Sequence, residues 1–175
     1  MKKSKLFLLD ANVVIYLFEL GIWNAFVERC DVHLARTVVD EAAFYQDADG
    51  NRFEIELDSD IEAGRITVFS VGYSQLQEFL SQFGAGFIER LDPGEAESLA
   101  YLDCSGYSHR ICSADKIVYR VLGAVLKGEA GVSLEEVLTD IGLGRNLLTQ
   151  FSKSYRERWT RRGFEEGLRG IGLNS

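Results

Sequence analysis

Four acidic residues are spaced so that each stands where a predicted strand ends or a predicted helix begins. Asp10 directly follows the apolar run "LFLL", and the other three are Glu41, Glu95 and Asp115. Carboxyl ends of parallel strands form one edge of a sheet, so these side chains are expected to converge. Converging carboxylates repel one another unless a cation neutralises them, and Mg²⁺ or Mn²⁺ suits oxygen ligands. The pattern therefore predicts metal-assisted attack of water on a phosphodiester.

Three of these acids also have a structural alternative. Asp10 precedes a predicted helix, and Asp is a favoured N-cap residue. The stretch from Asp92 to Glu95 fits an N-cap, a proline at the first helical position and a capping-box acid. Asp115 fits a first-turn acid that interacts favourably with the helix dipole, with Ser113 as the cap. The ligand and capping interpretations both stay open at these positions.

Glu41 is more readily interpreted as a ligand. If Thr37 caps its helix, the capping-box acid three residues later is Asp40, which leaves Glu41 without a structural task. Glu97 is an alternate to Glu95, because two residues further on it points away from its neighbour around the helix.

The spacing of apolar residues predicts alternating strands and helices. Lys5–Leu9 has the pattern of a strand buried on both faces. Further strands are predicted at 31–37, 65–71 and 109–112, with helices at 11–20, 22–30, 38–45, 73–83, 91–102, 114–126 and 132–144 and a final helix from Arg145. This alternation is typical of an α/β fold in which crossover helices connect parallel strands.

Residues 47–64 depart from this rhythm. Asp49-Gly50 is a common signal for a tight turn, so an inserted hairpin or loop is predicted here. The "DADGN" stretch is similar to the start of a calcium loop, but Arg52 stands where that loop requires glycine. A calcium site is therefore not expected.

Composition points to a single globular domain. The chain has 175 residues, of which 46% are apolar and 26% charged. There is neither a signal-peptide pattern nor an apolar run long enough for a membrane span, so a cytoplasmic location without membrane association is expected. Cys30, Cys104 and Cys112 lack metal-ligand spacing, and His33 and His109 are far apart in sequence, so a zinc site is not expected.

Charge is distributed unevenly along the chain. The net charge is -8, yet the part from Arg145 onward has seven basic residues against three acidic ones. Phosphate binding depends on Lys and Arg, so this basic segment is the part of an otherwise acidic chain that suits a nucleic acid.

The ordered set of motifs resembles the PIN-domain family. The motifs are "LLDANVVI", "TVVDEAAFY", "LDPGEAESLAYL" and "ICSADKIVYRVL", and the resemblance runs from about Leu6 to about Leu122. It implies a three-layer α/β/α fold with a mainly parallel sheet and a metal-dependent ribonuclease that cleaves single-stranded RNA, often as the toxin of a toxin-antitoxin pair. It also implies a possible homodimer and a possible antitoxin protein as partners.

Carried over residue by residue, the resemblance makes Asp10, Glu41, Glu95 and Asp115 the acidic cluster that holds Mg²⁺ or Mn²⁺. Asn12 would orient the Asp10 carboxylate. Ser113 would be the small hydroxyl residue before the last acid, as a cap or in contact with phosphate. Two features depart from the family pattern: the chain is longer than the compact toxins, and "ADK" provides one acid where two adjacent acids are common.

The C-terminal segment interleaves aromatic and basic residues. Phe151, Tyr155 and Trp159 at four-residue spacing form an apolar stripe on a helix. This stripe is expected to dock the helix on the body, with the arginines facing solvent. In the functional alternative, outward basic residues guide RNA phosphates toward the acids. The candidates for RNA contact are Lys116, Arg156, Arg161 and Arg162.

The predicted organisation is a PIN-like domain over residues 1–128 and a helical extension over 129–175 packed on the same domain. The predicted function is a metal-dependent endoribonuclease. The alternative is a PIN-like module with weak or lost catalysis that binds nucleic acid or a regulatory partner.

Overall fold

A computed structural model describes residues 4–174, and their side chains from Phe7 onward. The strands are β1 (Ser4–Leu9), β2 (Cys30–Ala35), β3 (Phe44–Gln46), β4 (Arg52–Glu54), β5 (Ile66–Phe69), β6 (Arg110–Cys112) and β7 (Gly131–Val132). The α-helices are α1 (Ala11–Glu19), α2 (Trp23–Arg29), α3 (Arg36–Glu41), α4 (Asp58–Glu62), α5 (Tyr73–Ser81), α6 (Ala85–Ile88), α7 (Pro93–Cys104), α8 (Lys116–Ala124), α9 (Leu134–Asp140) and α10 (Lys153–Leu168). Two 3-10 helices are Gly128–Ala130 and Thr149–Phe151.

Within the described residues, the central sheet has five parallel strands in the order β5-β2-β1-β6-β7. Along β1, Phe7 and Leu9 pack in one apolar cluster with α1 and α2, while Leu8 packs in a second cluster with α7 and α8. Alternate residues of a strand point to opposite faces, so helices cover both faces of the sheet. The α/β prediction is confirmed, and the arrangement is compatible with three layers.

The hairpin predicted at residues 47–64 is present in part. Strands β3 and β4 pair antiparallel around the turn that contains Gly50, and α4 follows them. The helix predicted at 38–45 is wrong beyond Glu41, because Phe44–Gln46 pairs with Arg52–Glu54 in the hairpin. The strand predicted at 31–37 ends at Ala35, since α3 begins at Arg36.

The final helix begins later than predicted. The chain from Arg145 runs without α-helix to Ser152, whose hydroxyl accepts the Tyr155 N–H and caps α10. Upstream of that cap, the Phe151 ring stacks on Tyr16 with 4.1 Å between centroids. This contact docks the segment on the body, as expected. The stripe predicted on one helix is wrong, because Phe151 lies in a 3-10 helix and only Tyr155 and Trp159 lie on α10.

The segment after residue 128 also contributes to the sheet. Strand β7 pairs with β6, and α10 packs closely against α8. Close packing is possible because Gly123, Gly163 and Gly167 lie at the contact. A Cβ atom on Gly163 would overlap the Arg120 carbonyl oxygen, and one on Gly167 would lie 2.6 Å from the Ala124 carbonyl oxygen.

We expect Gly163→Ala to lower the free energy of unfolding by about 3 kcal/mol, because the new methyl group meets rigid backbone. The matched control is Gly144→Ala, whose Cβ would meet its nearest atoms at an ordinary 3.7 Å. Urea denaturation of both variants measures the difference. Equal midpoints would show that α10 does not pack on α8 at this distance.

The two histidines lie close together despite their separation in sequence. The rings of His33 and His109 meet edge to face with 4.9 Å between centroids.

None of the helices in residues 4–174 is long and apolar enough to cross a membrane alone, and only the sharply bent pair α1 and α2 reaches that length and composition jointly.

Candidate active site

Asp10 connects the ends of the two central strands that flank the candidate site. It directly follows β1, and its Oδ1 accepts the Val13 N–H at 2.7 Å, which caps α1. Its Oδ2 accepts the Ser113 hydroxyl and the Ala114 N–H, both from the loop after β6. Burial raises the pKa of this carboxyl group, although the three hydrogen bonds oppose the effect; the Asp115 charge adds to it. Asp10 is 2% exposed.

Ser113 lies next to Asp10 and is fixed there by several hydrogen bonds. It is fully buried, and the hydroxyl of Tyr119 lies between the Ser113 and Val132 carbonyl oxygens, at 2.7 and 3.0 Å. Ser113 Oγ also accepts the Asp115 N–H at 2.9 Å. The prediction that Ser113 caps α8 is wrong, because Asp115 itself is the N-cap and accepts the Ile117 N–H at 3.0 Å.

Glu95 lies in the first turn of α7, facing the two strand-end acids. Its Oε2 accepts the Asp92 N–H at 3.2 Å, which forms half of the predicted capping box. Burial raises the pKa of Glu95 to about 8, and the charges of Asp10 and Asp115 contribute to the rise. Three of the four predicted acids therefore lie within one another's electrostatic field.

Glu41, the fourth predicted acid, reaches the site from the end of α3. Its Oε1 accepts the Gly94 N–H at 3.3 Å, at the N-terminus of α7. A Cβ on Gly94 would lie 2.8 Å from Glu41 Oε2 and 2.9 Å from Val38 Cγ2, so only glycine lets α3 and α7 approach this closely. Partial burial raises the pKa of Glu41, and the charges of Asp92, Asp40 and Glu97 raise it further.

An open pocket of about 340 Å³ brings these groups together. In the part of the chain that the structure describes, it is lined by Asp10, Ala11, Asn12, Ile15, Glu41, Asp92, Pro93 and Glu95. We call this the acidic pocket. Asp92 is a lining acid that the sequence interpretation treated only as a helix cap. Its position at the N-cap of α7, three residues before Glu95, is the sequence signal that could have identified it as a lining residue.

Glu97 has a structural role that the sequence interpretation missed. Its Oε2 accepts both the N–H and the hydroxyl of Thr37, and its Oε1 accepts the Val71 N–H at 2.9 Å. Thr37 does not cap α3 as predicted, because the N-cap is Ala35 and the Thr37 hydroxyl is turned toward α7. Glu97 joins α7 to the segments after β2 and β5. Both of its carboxylate oxygens already accept hydrogen bonds, so it is a weaker candidate for a metal ligand than Glu95.

Ser113, rather than Asn12, orients the Asp10 carboxylate, so the role expected of Asn12 is wrong. Asn12 is exposed on the rim of the acidic pocket, and the hydrogen bonds to the Asp10 carboxylate come from Val13, Ala114 and Ser113. A side chain 103 positions away therefore orients Asp10, which local spacing does not reveal.

The four basic residues predicted to contact RNA differ in their surroundings. Arg156 binds Glu136 through two hydrogen bonds of 2.8 and 2.9 Å and is mostly buried. Arg162 donates from Nε to Glu166, while Arg161 is exposed. Lys116 follows Asp115, and its Nζ lies 5.2 Å from the Trp159 ring centroid. Arg156 thus serves to dock α10 on α9, and the other three face outward in whole or in part.

The carboxylate oxygens of the acidic pocket differ in how many hydrogen bonds they already accept. Among the side chains from Phe7 onward, no three His, Cys, Asp or Glu groups are close enough to form a ready metal-binding set. Mg²⁺, however, is commonly held by one or two carboxylates together with water. Asp10 Oδ1 accepts one hydrogen bond and keeps a lone pair, and Glu95 uses Oε2 for its cap, which leaves Oε1.

Comparisons of the chain with protein-family models, with curated proteins and with solved structures find no match. The case for a function therefore depends on the geometry and charge of the acidic pocket.

Proposed function

We propose that this chain is a PIN-like, divalent-metal-dependent endoribonuclease that cleaves single-stranded RNA at the acidic pocket, in the cytoplasm and as the toxin of a toxin-antitoxin pair. The observation that carries the proposal is the placement of Asp10, Glu95 and Asp115, whose mutual repulsion and burial raise the pKa of Glu95 to about 8. Repulsion among these carboxylates disfavours their charged forms, and a bound cation would offset that repulsion.

Each acid has a separate role in this proposal. Asp10 and Glu95 would hold the Mg²⁺ or Mn²⁺ ion, and Asp115 would add a third negative charge near Glu95. The ion, when bound, lowers the pKa of a water molecule and offsets the charge of the phosphate oxygens. Glu41 is the most exposed of the four, and its Oε2 is not used by Gly94. Its raised pKa suits a group that takes a proton from the attacking water.

The direct test is cleavage of an end-labelled, unstructured RNA oligonucleotide by the full chain in Mn²⁺, in Mg²⁺ and in EDTA. We expect internal cleavage with either metal and none in EDTA. Asp10→Asn should abolish it. Full activity of that variant, or equal activity in EDTA, would contradict the assignment.

Gly94→Ala tests whether Glu41 must lie in the acidic pocket. The added methyl group displaces the Glu41 carboxylate, and misplacement by about 1 Å costs on the order of 10- to 100-fold in rate. The new Cβ would also lie 2.9 Å from Cγ2 of the buried Val38, so the free energy of unfolding should fall by about 1 to 3 kcal/mol, and cleavage is compared at a temperature where both proteins are folded. The control is Gly86→Ala, whose Cβ meets nothing within 4 Å. Unchanged cleavage by Gly94→Ala would remove Glu41 from the site.

A second candidate function is a PIN-like module that binds nucleic acid or a regulatory partner without catalysis. It is favoured by the structural work that the acids perform: Asp10 caps α1, Glu95 completes a capping box and Asp115 caps α8. In this case millimolar Mn²⁺ should not raise the melting temperature, and RNA should be bound without being cut.

A further inference from the structure

Helix α10 presents a basic stripe on the side opposite its packing face. Gly163 and Gly167 face α8, whereas Arg158, Arg161 and Arg162 recur at three- and four-residue spacing on the outer side. Together with Trp159 and Glu165 they line a cleft of about 420 Å³, which we call the arginine cleft. The stripe from 158 to 165 is about 10 Å long at 1.5 Å per residue.

The arginines of this cleft differ in how much of their charge is already neutralised. Arg162 is partly compensated by Glu166, at 2.8 Å. Among the described residues, neither Arg158 nor Arg161 has a carboxylate within ion-pair distance of 4.0 Å. On a chain whose net charge is -8, these two uncompensated guanidinium groups form a local positive surface.

The arginine cleft extends toward Lys116 and Asp115. Trp159 lies between the cations of Arg158 and Lys116, with its ring centroid 5.3 Å from Arg158 Cζ and 5.2 Å from Lys116 Nζ. Lys116 is the residue after Asp115, whose charge also acts on Tyr155, one turn before Trp159 on α10. Positive groups therefore run from the cleft to Lys116, beside Asp115, whose charge acts on Glu95 at the acidic pocket.

We propose that the arginine cleft binds phosphates of the RNA strand that enters the acidic pocket, with Arg158 and Arg161 as the main contacts and Lys116 as the link to the site. This inference rests on the proposed function and names the surface that holds its substrate. An acidic pocket repels a polyanion, so a nearby positive surface is needed to hold the strand in place. Arg156, predicted from sequence as a contact, is excluded by its pairing with Glu136.

The experiment is fluorescence anisotropy of a labelled, unstructured RNA oligonucleotide in EDTA, where metal-dependent cleavage is absent, at several concentrations of monovalent salt. Each phosphate contact to a single strand contributes about 0.7 to the slope of log K against log salt. The double variant Arg158→Ala/Arg161→Ala should reduce the magnitude of this slope by about 1.4 and weaken binding by on the order of 20-fold at 0.1 M salt. Arg169→Ala, which removes an exposed charge from the residue that follows α10, is the control and should bind as the unmodified chain does.

Cleavage in Mn²⁺ by the same proteins separates this inference from the proposed function. If the unmodified chain cleaves RNA and the double variant binds with the same affinity and salt slope, the arginine cleft is not the RNA surface. That result would overturn the inference and favour an acidic protein segment as its occupant. If the unmodified chain binds RNA through the arginines without cleaving it, the inference stands and the nuclease proposal fails.

Discussion

Glu95→Gln is expected to reduce metal-dependent RNA cleavage by on the order of 100- to 1,000-fold while leaving the fold intact. Glutamine keeps the carbonyl oxygen that accepts the Asp92 N–H, and Glu and Gln both serve at this position of a capping box. The substitution removes the negative charge that would bind the cation between Asp10 and Asp115. Because the pKa of Glu95 is about 8, the side chain is already mostly neutral at pH 7 in the absence of metal, so a neutral amide is tolerated there.

The matched control for Glu95→Gln is Glu78→Gln, the same change at an exposed side chain of α5 that does not line the acidic pocket. Initial rates of cleavage at saturating Mn²⁺, with circular dichroism to check folding, give the comparison. A Glu95→Gln protein that folds normally and cuts RNA at an undiminished rate would assign Glu95 to helix capping alone.

Local signals in the sequence were sufficient for several elements and for the acids at their ends. An apolar run followed by Asp10 correctly predicted a buried strand with an acid at its end, and the Asp49-Gly50 turn correctly predicted a hairpin. These features depend on residues that are close in sequence, where backbone preferences decide the outcome.

The errors arose where partners are far apart in sequence. Thr37 resembles a helix cap, but its hydroxyl bonds to Glu97, 60 positions away. Arg156 resembles a solvent-facing cation, but it is paired with Glu136 across a helix contact. The spacing of a single chain does not encode which helices will touch, so such partners become visible only once the sheet has brought the elements together.

The same separation limits what the sequence could say about the acidic pocket. It placed the acids at one sheet edge, because that follows from parallel topology. It did not show that Asp10 is bound by three donors, or that Glu95 lies between two other carboxylates. These contacts determine which oxygen atoms remain available to a cation.

Metal-free protein should become less stable as the pH rises from about 4.5 to about 8, and divalent metal should reverse this loss. The pKa of Glu95 is raised from an ordinary 4.5 to about 8, so in this interval the folded chain holds a proton that the unfolded chain has released. Stability falls with pH wherever the folded state binds more protons. The pKa values of Asp10 and Glu41 are also raised, so these groups act in the same direction.

Each unit of pKa shift corresponds to about 1.4 kcal/mol, so the loss should reach a few kcal/mol, or on the order of 10 °C in melting temperature, between pH 5 and pH 9. Glu95→Gln isolates the contribution of this one group. Its melting temperature should match that of the unmodified chain at pH 5 and exceed it at pH 9, because an amide does not ionise. Other groups that titrate in this range, including His109, are present in both proteins and cancel in the difference.

Millimolar Mn²⁺ should then raise the melting temperature of the unmodified chain most at high pH, where Glu95 needs no proton removed before it binds the ion. A ligand at 100 times its dissociation constant stabilises by about 2.7 kcal/mol, which is sufficient to restore much of the loss. The Glu95→Gln protein should respond weakly at every pH. Parallel pH curves for the two proteins without Mn²⁺ would show that the pKa of Glu95 is not raised in the folded chain. An equal rise in melting temperature of both proteins with Mn²⁺ would show that Glu95 does not bind the cation.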